Sequence, residues 1–220
     1  MTTDDPKKIV VLISGRGSNL LAIVRAMEKE KWRARVVAVI SSTPDANGLA
    51  IAAAAGISSE TINVAHFPDR VSYDAALREA IDCYAPDLLL LAGFMRILTD
   101  EFVNHYAGRM INIHPSLLPA FTGTRTHQRA LDAGVRVHGA TVHFVTPQLD
   151  AGPVIAQAVV PVLPDDTEEM LAHRVLEQEH ILYPRVVRWF VEDKVKMENG
   201  RAVLSTTINC PADFLLGVAS

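Results

Sequence analysis

The sequence has only two cysteines, Cys83 and Cys210, in 220 residues. They form neither a CxxC pair nor a disulfide framework, so a reducing, cytoplasmic setting is the simplest reading, with each thiol structural or incidental. Long hydrophobic runs are also missing. The longest strictly apolar stretch, residues 49–55, is far too short to cross a bilayer, so no membrane partner is expected. The polar start MTTDDPKK leads directly into a strand and does not resemble a signal peptide. There is no basic surface to recruit nucleic acid, since the net charge is −4 and the Lys and Arg are scattered. Small anions stay open, because a few well-placed backbone amides bind them locally. No GxSxG elbow suggests a serine hydrolase, and no HExxH, cysteine pair or carboxylate cluster suggests a metal. His138 and His143 are five apart on one strand candidate, which puts them on opposite faces.

Hydrophobic residues make up 49% and charged residues 21%, values that fit a globular protein with a sizeable core, one large domain or two tightly joined halves. Short apolar runs at residues 9–13 (IVVLI), 34–40 (ARVVAVI), 61–64, 87–92 (DLLLLA) and 109–114 read as strands. Helical patterns separate them at residues 20–28, 47–55, 72–84 and 99–106, the last capped by Thr99. This alternation predicts βαβ units and a mostly parallel sheet. The pattern then changes. After a helix at residues 126–133, residues 135–145 alternate in a longer strand and residues 153–160 make a second, read as an antiparallel extension. Residues 166–191 form the longest helix pattern, which Pro184 should bend or shorten, and an Asn-Gly hairpin signal lies within residues 194–205. The fold class is thus α/β: a Rossmann-like, mostly parallel twisted sheet flanked by helices, extended by antiparallel strands in the C-terminal half.

Four features carry chemistry. SGRGSN (residues 14–19) follows a buried strand and opens a helix, a natural anion cradle: the glycines admit close backbone approach and the first helical N–H groups point outward. Leu20 stands where the dinucleotide fingerprint has its third glycine, and no Walker lysine follows, so one phosphate fits better than a pyrophosphate. The same residues also fit a tight turn capped by Ser18 or Asn19. In INIHP, Asn112 and His114 share one face at the end of a strand that Pro115 terminates, the sheet edge where α/β proteins hold ligands. An amide donor beside an imidazole suits general acid chemistry with oxyanion stabilisation, although a buried structural histidine satisfies the same pattern. Asp150, in QLDAGPVI, reads either as a turn residue or as a carboxylate that would favour the imidazolium of His114. Glu179 falls on the stripe Ala172, Val175, Glu179, Leu182, Val186 that should face the core, where a carboxylate needs a partner or a polar ligand unless the stripe's boundary leaves it solvated.

Together VVLISGRGSN, LAGFMRIL, INIHPSLLP, VHFVTPQLDAGPVI and QEH resemble the phosphoribosylglycinamide formyltransferases, folate-dependent enzymes of purine synthesis, from about residue 9 to 189. HPSLLP alone is shared across folate formyltransferases; the other segments narrow the likeness. The resemblance implies that Gly17, Ser18 and Asn19 hold the ribonucleotide phosphate and that Glu179 contacts the same substrate. It implies that Arg70, Met95, Arg96, Ile97 and Leu98, with Asn112, receive 10-formyltetrahydrofolate, and that the backbone from Val145 to Asp150 lines the pterin pocket. Asn112, His114 and Asp150 match the catalytic trio. The implied reaction is direct attack of the phosphoribosylglycinamide amine on the formyl carbon through a tetrahedral intermediate, with no covalent enzyme adduct and no metal. It further implies one domain over residues 1–205, with a phosphate-binding half to about 100, a catalytic and folate-binding half to 205, and a tail at 206–220. The chain would act as a monomer or homodimer.

One departure stands out. Members of the family usually carry a segment like PGLHTH, where TGTRTH here places Thr122 and Arg125 and keeps His127. The related methionyl-tRNA formyltransferases would need a further C-terminal domain, and formyltetrahydrofolate deformylases an N-terminal regulatory one; neither is expected here. A non-catalytic nucleotide-binding module is the alternative from another class, and the intact trio argues against it.

Overall fold

The computed structural model describes residues 5–205 and the backbone of residues 214–216. The architecture is α/β, with parallel strands and flanking helices first and antiparallel strands later, as the sequence pattern predicts. The chain divides into two compact units, residues 1–111 and 112–220.

In the first unit, β1 (Lys7–Ile13), β2 (Ala34–Ser41), β3 (Ser59–Thr61) and β4 (Leu88–Leu91) lie in the order β4-β1-β2-β3, all parallel. Ile9 to Ile13 and Leu88 to Leu90 are fully buried. Both faces of a central parallel strand are covered, which is why these segments are continuous apolar runs. Helices α1 (Ser18–Glu30), α2 (Gly48–Ala54), α3 (Arg70–Asp82) and α4 (Asp100–His105) follow the strands. Asp69 caps α3, accepting from the Ser72 N–H at 2.8 Å, and Thr99 caps α4, accepting from the Phe102 N–H at 3.3 Å. The strand expected at residues 61–64 instead ends at Thr61. Asn63 leaves it to cap a 3-10 turn at Val64–His66, accepting from the Ala65 N–H at 3.0 Å. A short side-chain acceptor placed after an edge strand competes with the ladder.

The chain passes from the first unit into the second within β5 (Met110–His114). The second unit holds α5 (Thr126–Asp132), β6 (Val137–Phe144), β7 (Val154–Pro161) and α6 (Glu168–Val191). β6 and β7 pair antiparallel, with an irregularity between Val142 and His143. α6 packs on both strands, and Leu171 and Val175 bury against Ala130, Ala140 and Val160. The hairpin β8 (Val195–Glu198) and β9 (Arg201–Leu204) turns at Asn199-Gly200, with φ of 48° and 72°, the left-handed pair that a two-residue hairpin demands.

α6 runs unbroken through Pro184 for 24 residues. Proline removes one helical hydrogen bond, a cost of about 3 kcal/mol. Leu182, Tyr183, Pro184, Val186 and Val187 are all buried on this helix, and that tertiary packing outweighs the local defect. Within the expected tail, β10 (Phe214–Leu216) pairs antiparallel with β7. The rest of the tail, residues 206–213 and 217–220, lies outside the described residues, and Cys210 with it. Among the described residues no helix is long and apolar enough to cross a membrane.

Candidate active site

In the first unit, Ser14 follows the end of β1 and the loop turns into α1 at Gly17. Gly17 has φ 73°, and a Cβ there would lie 2.5 Å from the Cα of Gly48 at the start of α2. Only glycine meets both demands at once. The Gly48 N–H also donates to the Gly15 carbonyl at 3.1 Å. The loop is therefore clamped, and the first N–H groups of α1, at Ser18, Asn19 and Leu20, precede its internal hydrogen-bond ladder. No acidic side chain sits in that first turn, so the positive end of the helix dipole is not neutralised by an acidic neighbour there. Asn19 is buried and Ser18 half-buried.

A second segment joins this loop through one hydroxyl. Ser14 donates its backbone N–H to the Gly93 carbonyl at 3.2 Å, and its Oγ accepts from the Met95 N–H at 2.9 Å and pairs with Ser42 Oγ at 2.7 Å. Met95, Arg96 and Ile97 are exposed while Leu98 is buried. Two large apolar side chains held out beside an arginine form an apolar contact surface with a cationic neighbour. The far end of the segment is tied to α3, where Asp74 Oδ2 accepts from the Thr99 N–H at 2.6 Å. Burial pushes the Tyr73 phenol up to about 12, with the Arg96 charge opposing it. Arg70 is exposed at the start of the same helix.

In the second unit, the trio gathers around β5. His114 is 6% exposed, and its Nδ1 lies 3.6 Å from Asp150 Oδ2. Its Nε2 donates to the Phe121 carbonyl at 3.0 Å. Both ring nitrogens thus face oxygens, the Phe121 carbonyl within hydrogen-bond distance and the Asp150 carboxylate at ion-pair distance. Asp150 Oδ2 is itself held by the Gly123 N–H at 2.7 Å. Its backbone is left-handed, φ 51°, at the turn between β6 and β7. Val145 is half-buried just after β6. Nearby, a Cβ on Gly152 would lie 1.8 Å from the Phe144 carbonyl, so glycine is required there.

Asn112 meets a residue of β6. Its Nδ2 lies 3.3 Å from His143 Nε2, and His143 Nδ1 lies 2.9 Å from the Phe144 carbonyl. Burial lowers the His143 pKa, with the Phe144 carbonyl and the Asp150 charge opposing that shift.

The apolar turn after Pro115 is braced by a buried hydroxyl. Thr141 Oγ1 donates to the Ser116 carbonyl at 2.6 Å and accepts from the Leu118 N–H at 3.0 Å and from Gln157 Nε2 at 2.9 Å. Ser116 Oγ in turn donates to the Ala120 carbonyl at 2.7 Å. These bonds set the path of the turn to Phe121, whose carbonyl anchors His114. Arg125 takes the left-handed cap of α5, φ 56°, and leaves His127 in the first turn of that helix. The His127 and His138 rings stack edge to face, with centroids 5.4 Å apart. Burial lowers the pKa of both, that of His138 to about 4.

Glu179 is 7% exposed on the buried stripe of α6, which begins at Leu171 instead of the expected Ala172. Among the described residues no three His, Cys, Asp or Glu side chains form a metal-binding group. His143, Thr141, Gln157 and the Phe121 carbonyl are the contributors that sequence reasoning missed. Strand alternation marks which face a residue takes but not which neighbour it meets.

The chain matches the family model described as formyl transferase over residues 7–187. It is 52% identical over 196 residues to the phosphoribosylglycinamide formyltransferase of Escherichia coli (strain K12), covering 89% of this chain and 92% of that protein. The solved phosphoribosylglycinamide formyltransferase of Coxiella burnetii is 50% identical, with a TM-score of 0.87 over 91% of this chain and 94% of that one. Glycinamide ribonucleotide transformylase 1 of Symbiobacterium toebii is 44% identical, with a TM-score of 0.87 over 90% and 94% of the two chains. With a family match over residues 7–187 and likeness to these proteins along nearly the whole chain, the protein belongs to the formyl transferase family.

Proposed function

We propose that this enzyme transfers the formyl group of 10-formyltetrahydrofolate to the amine of phosphoribosylglycinamide, a step of purine biosynthesis, and that Asn112, His114 and Asp150 carry the chemistry. The observation that carries the assignment is the ion-pair distance of 3.6 Å between His114 and Asp150, with Asn112 on the same strand. The amine nitrogen attacks the formyl carbon, a C–N bond forms, and the carbonyl electron pair moves onto oxygen. Asn112 donates one amide N–H to that oxygen. His114, anchored through Nε2 at Phe121, offers its Nδ1 edge. Preorganised donors of this kind stabilise charge where it develops. Asp150 holds the imidazolium and organises transfer of the amine proton to the folate nitrogen as the bond from that nitrogen to the formyl carbon breaks.

Gly17, Ser18 and Asn19 hold the ribonucleotide phosphate, supported by the clamped loop and the unneutralised helix start. Glu179 contacts the same substrate. Arg70, Met95, Arg96, Ile97 and Leu98 receive the folate, with Asn112, Val145 and the backbone to Asp150 at the pterin. The exposed apolar side chains of Met95 and Ile97 support this reading. Binding both substrates on one chain adds the proximity contribution. Residues 1–100 are the phosphate-binding half and residues 101–205 the catalytic and folate-binding half of one formyltransferase domain. The two small molecules are its partners, as a cytoplasmic monomer or homodimer; the exposed free thiol of Cys83 fits a reducing compartment.

The direct test incubates the purified chain with phosphoribosylglycinamide and 10-formyltetrahydrofolate. Formylated ribonucleotide and tetrahydrofolate should appear in equal amounts. A folded protein that yields neither overturns the reading.

A further inference from the structure

We infer that His143 is a positioning residue that sets the direction of the Asn112 amide, by presenting an unprotonated Nε2 that only an N–H can face. The inference rests on the catalytic role proposed for Asn112. The argument begins at a backbone carbonyl. His143 Nδ1 is 2.9 Å from the Phe144 carbonyl, which only accepts, so the proton is on Nδ1. The ring is 2% exposed, and burial opposes a second proton. Nε2 is left with a lone pair, and the Asn112 atom 3.3 Å away must be the Nδ2 donor.

An amide has two ends of similar shape, and turning it by half a revolution exchanges donor for acceptor. Turned the wrong way, Asn112 would face His143 with oxygen against a lone pair and would offer the reacting oxygen a second acceptor. Held the right way, Nδ2 spends one N–H on His143 and keeps the other for the developing oxyanion. His143 therefore selects the donor orientation before substrate arrives. The charged and titratable groups that bear on its ring are Asp150, which favours protonation, and His114, which opposes it. A second proton on His143 would convert Nε2 to a donor and drive the amide to the unproductive orientation.

The test compares His143→Gln with His143→Asn in the full chain. The glutamine oxygen reaches the place of Nε2 and accepts from Asn112. The asparagine amide replaces only Nδ1 and keeps the bond to Phe144. We expect His143→Gln to stay within about fivefold of the parent kcat, and His143→Asn to lose roughly 10- to 100-fold in kcat with both KM values within about twofold. Placed on Asn112→Ala, His143→Asn should cost no more than about twofold further. Equal losses in the two variants, a loss borne by KM, or an undiminished loss on Asn112→Ala overturns the inference. A 15N spectrum of the parent protein is a separate readout and should show His143 protonated at Nδ1 and bare at Nε2. A proton at Nε2 also overturns it. Absence of turnover in the parent would refute the functional reading alone, because the spectrum still decides the tautomer.

Discussion

Asp150 Oδ2 lies 3.6 Å from His114 Nδ1 while accepting the Gly123 N–H at 2.7 Å, so one carboxylate oxygen joins the end of β5 to the loop before α5. The carboxylate is thus held by the backbone and does not depend on the imidazole for its place. Removing its charge changes chemistry more than geometry.

Asp150→Asn and His114→Ala should each lower kcat by roughly 100- to 10,000-fold while leaving ribonucleotide binding largely intact. Steady-state kinetics and calorimetric titration with the ribonucleotide check this. Near-normal turnover in either variant would remove the assigned role.

Gly17→Ala should destabilise the first unit and weaken the phosphate site together. The new methyl meets the Gly48 Cα at 2.5 Å and the backbone is held at φ 73°. Left-handed backbone alone costs about 1–2 kcal/mol for a non-glycine residue. Gly15→Ala is the control, because no atom lies within 4 Å of its added Cβ. Thermal melts and ribonucleotide titrations should separate the two variants.

Asn19→Ala should mainly raise the ribonucleotide dissociation constant, with the folate KM little changed. An unchanged dissociation constant would reject the phosphate cradle.

Thr141→Val should cost about 1–3 kcal/mol, because the Leu118 N–H and Gln157 Nε2 lose a buried acceptor. Thr141→Ser keeps the hydroxyl and should recover most of that loss in a denaturant melt. Turnover should fall with the valine variant as the turn leading to Phe121 loosens.

Stability should fall as the solution is acidified. The His138 pKa is lowered from 6.5 to about 4 by burial and the neighbouring His127, against the Pro115 carbonyl. Below 6.5 the unfolded chain takes up the proton and the folded chain does not. The stability present above 6.5 is therefore lost progressively toward 4, where the effect levels off. The shift corresponds to a contribution on the order of 3 kcal/mol. His127, His143 and His180 are lowered in the same direction by burial and add to it. Melts across this range should show a shallower pH dependence in His138→Leu than in the parent.

The parallel strands and their helices were legible because burial on both faces leaves an unmistakable apolar run, as at residues 9–13 and 88–91. Local caps were legible too: Thr99 accepts the Phe102 N–H, and Asn199-Gly200 turns its hairpin. Where local rule and tertiary packing disagreed, packing prevailed. Pro184 sits inside an unbroken α6 because its neighbours are buried, and Asn63 caps a turn instead of extending β3.

By itself the sequence determined the order of elements, the face shared by Asn112 and His114, and the glycine-rich entry to α1, since each follows from local period or local backbone freedom. Only the tertiary structure decided that Asp150 approaches His114, that Phe121 anchors the imidazole, and that His143 faces the Asn112 amide. Those pairings join residues many positions apart, and alternation along a strand carries no record of which distant loop will close over it. The physical reason is that direction is a local property of the backbone, while partnership is settled by how whole elements pack.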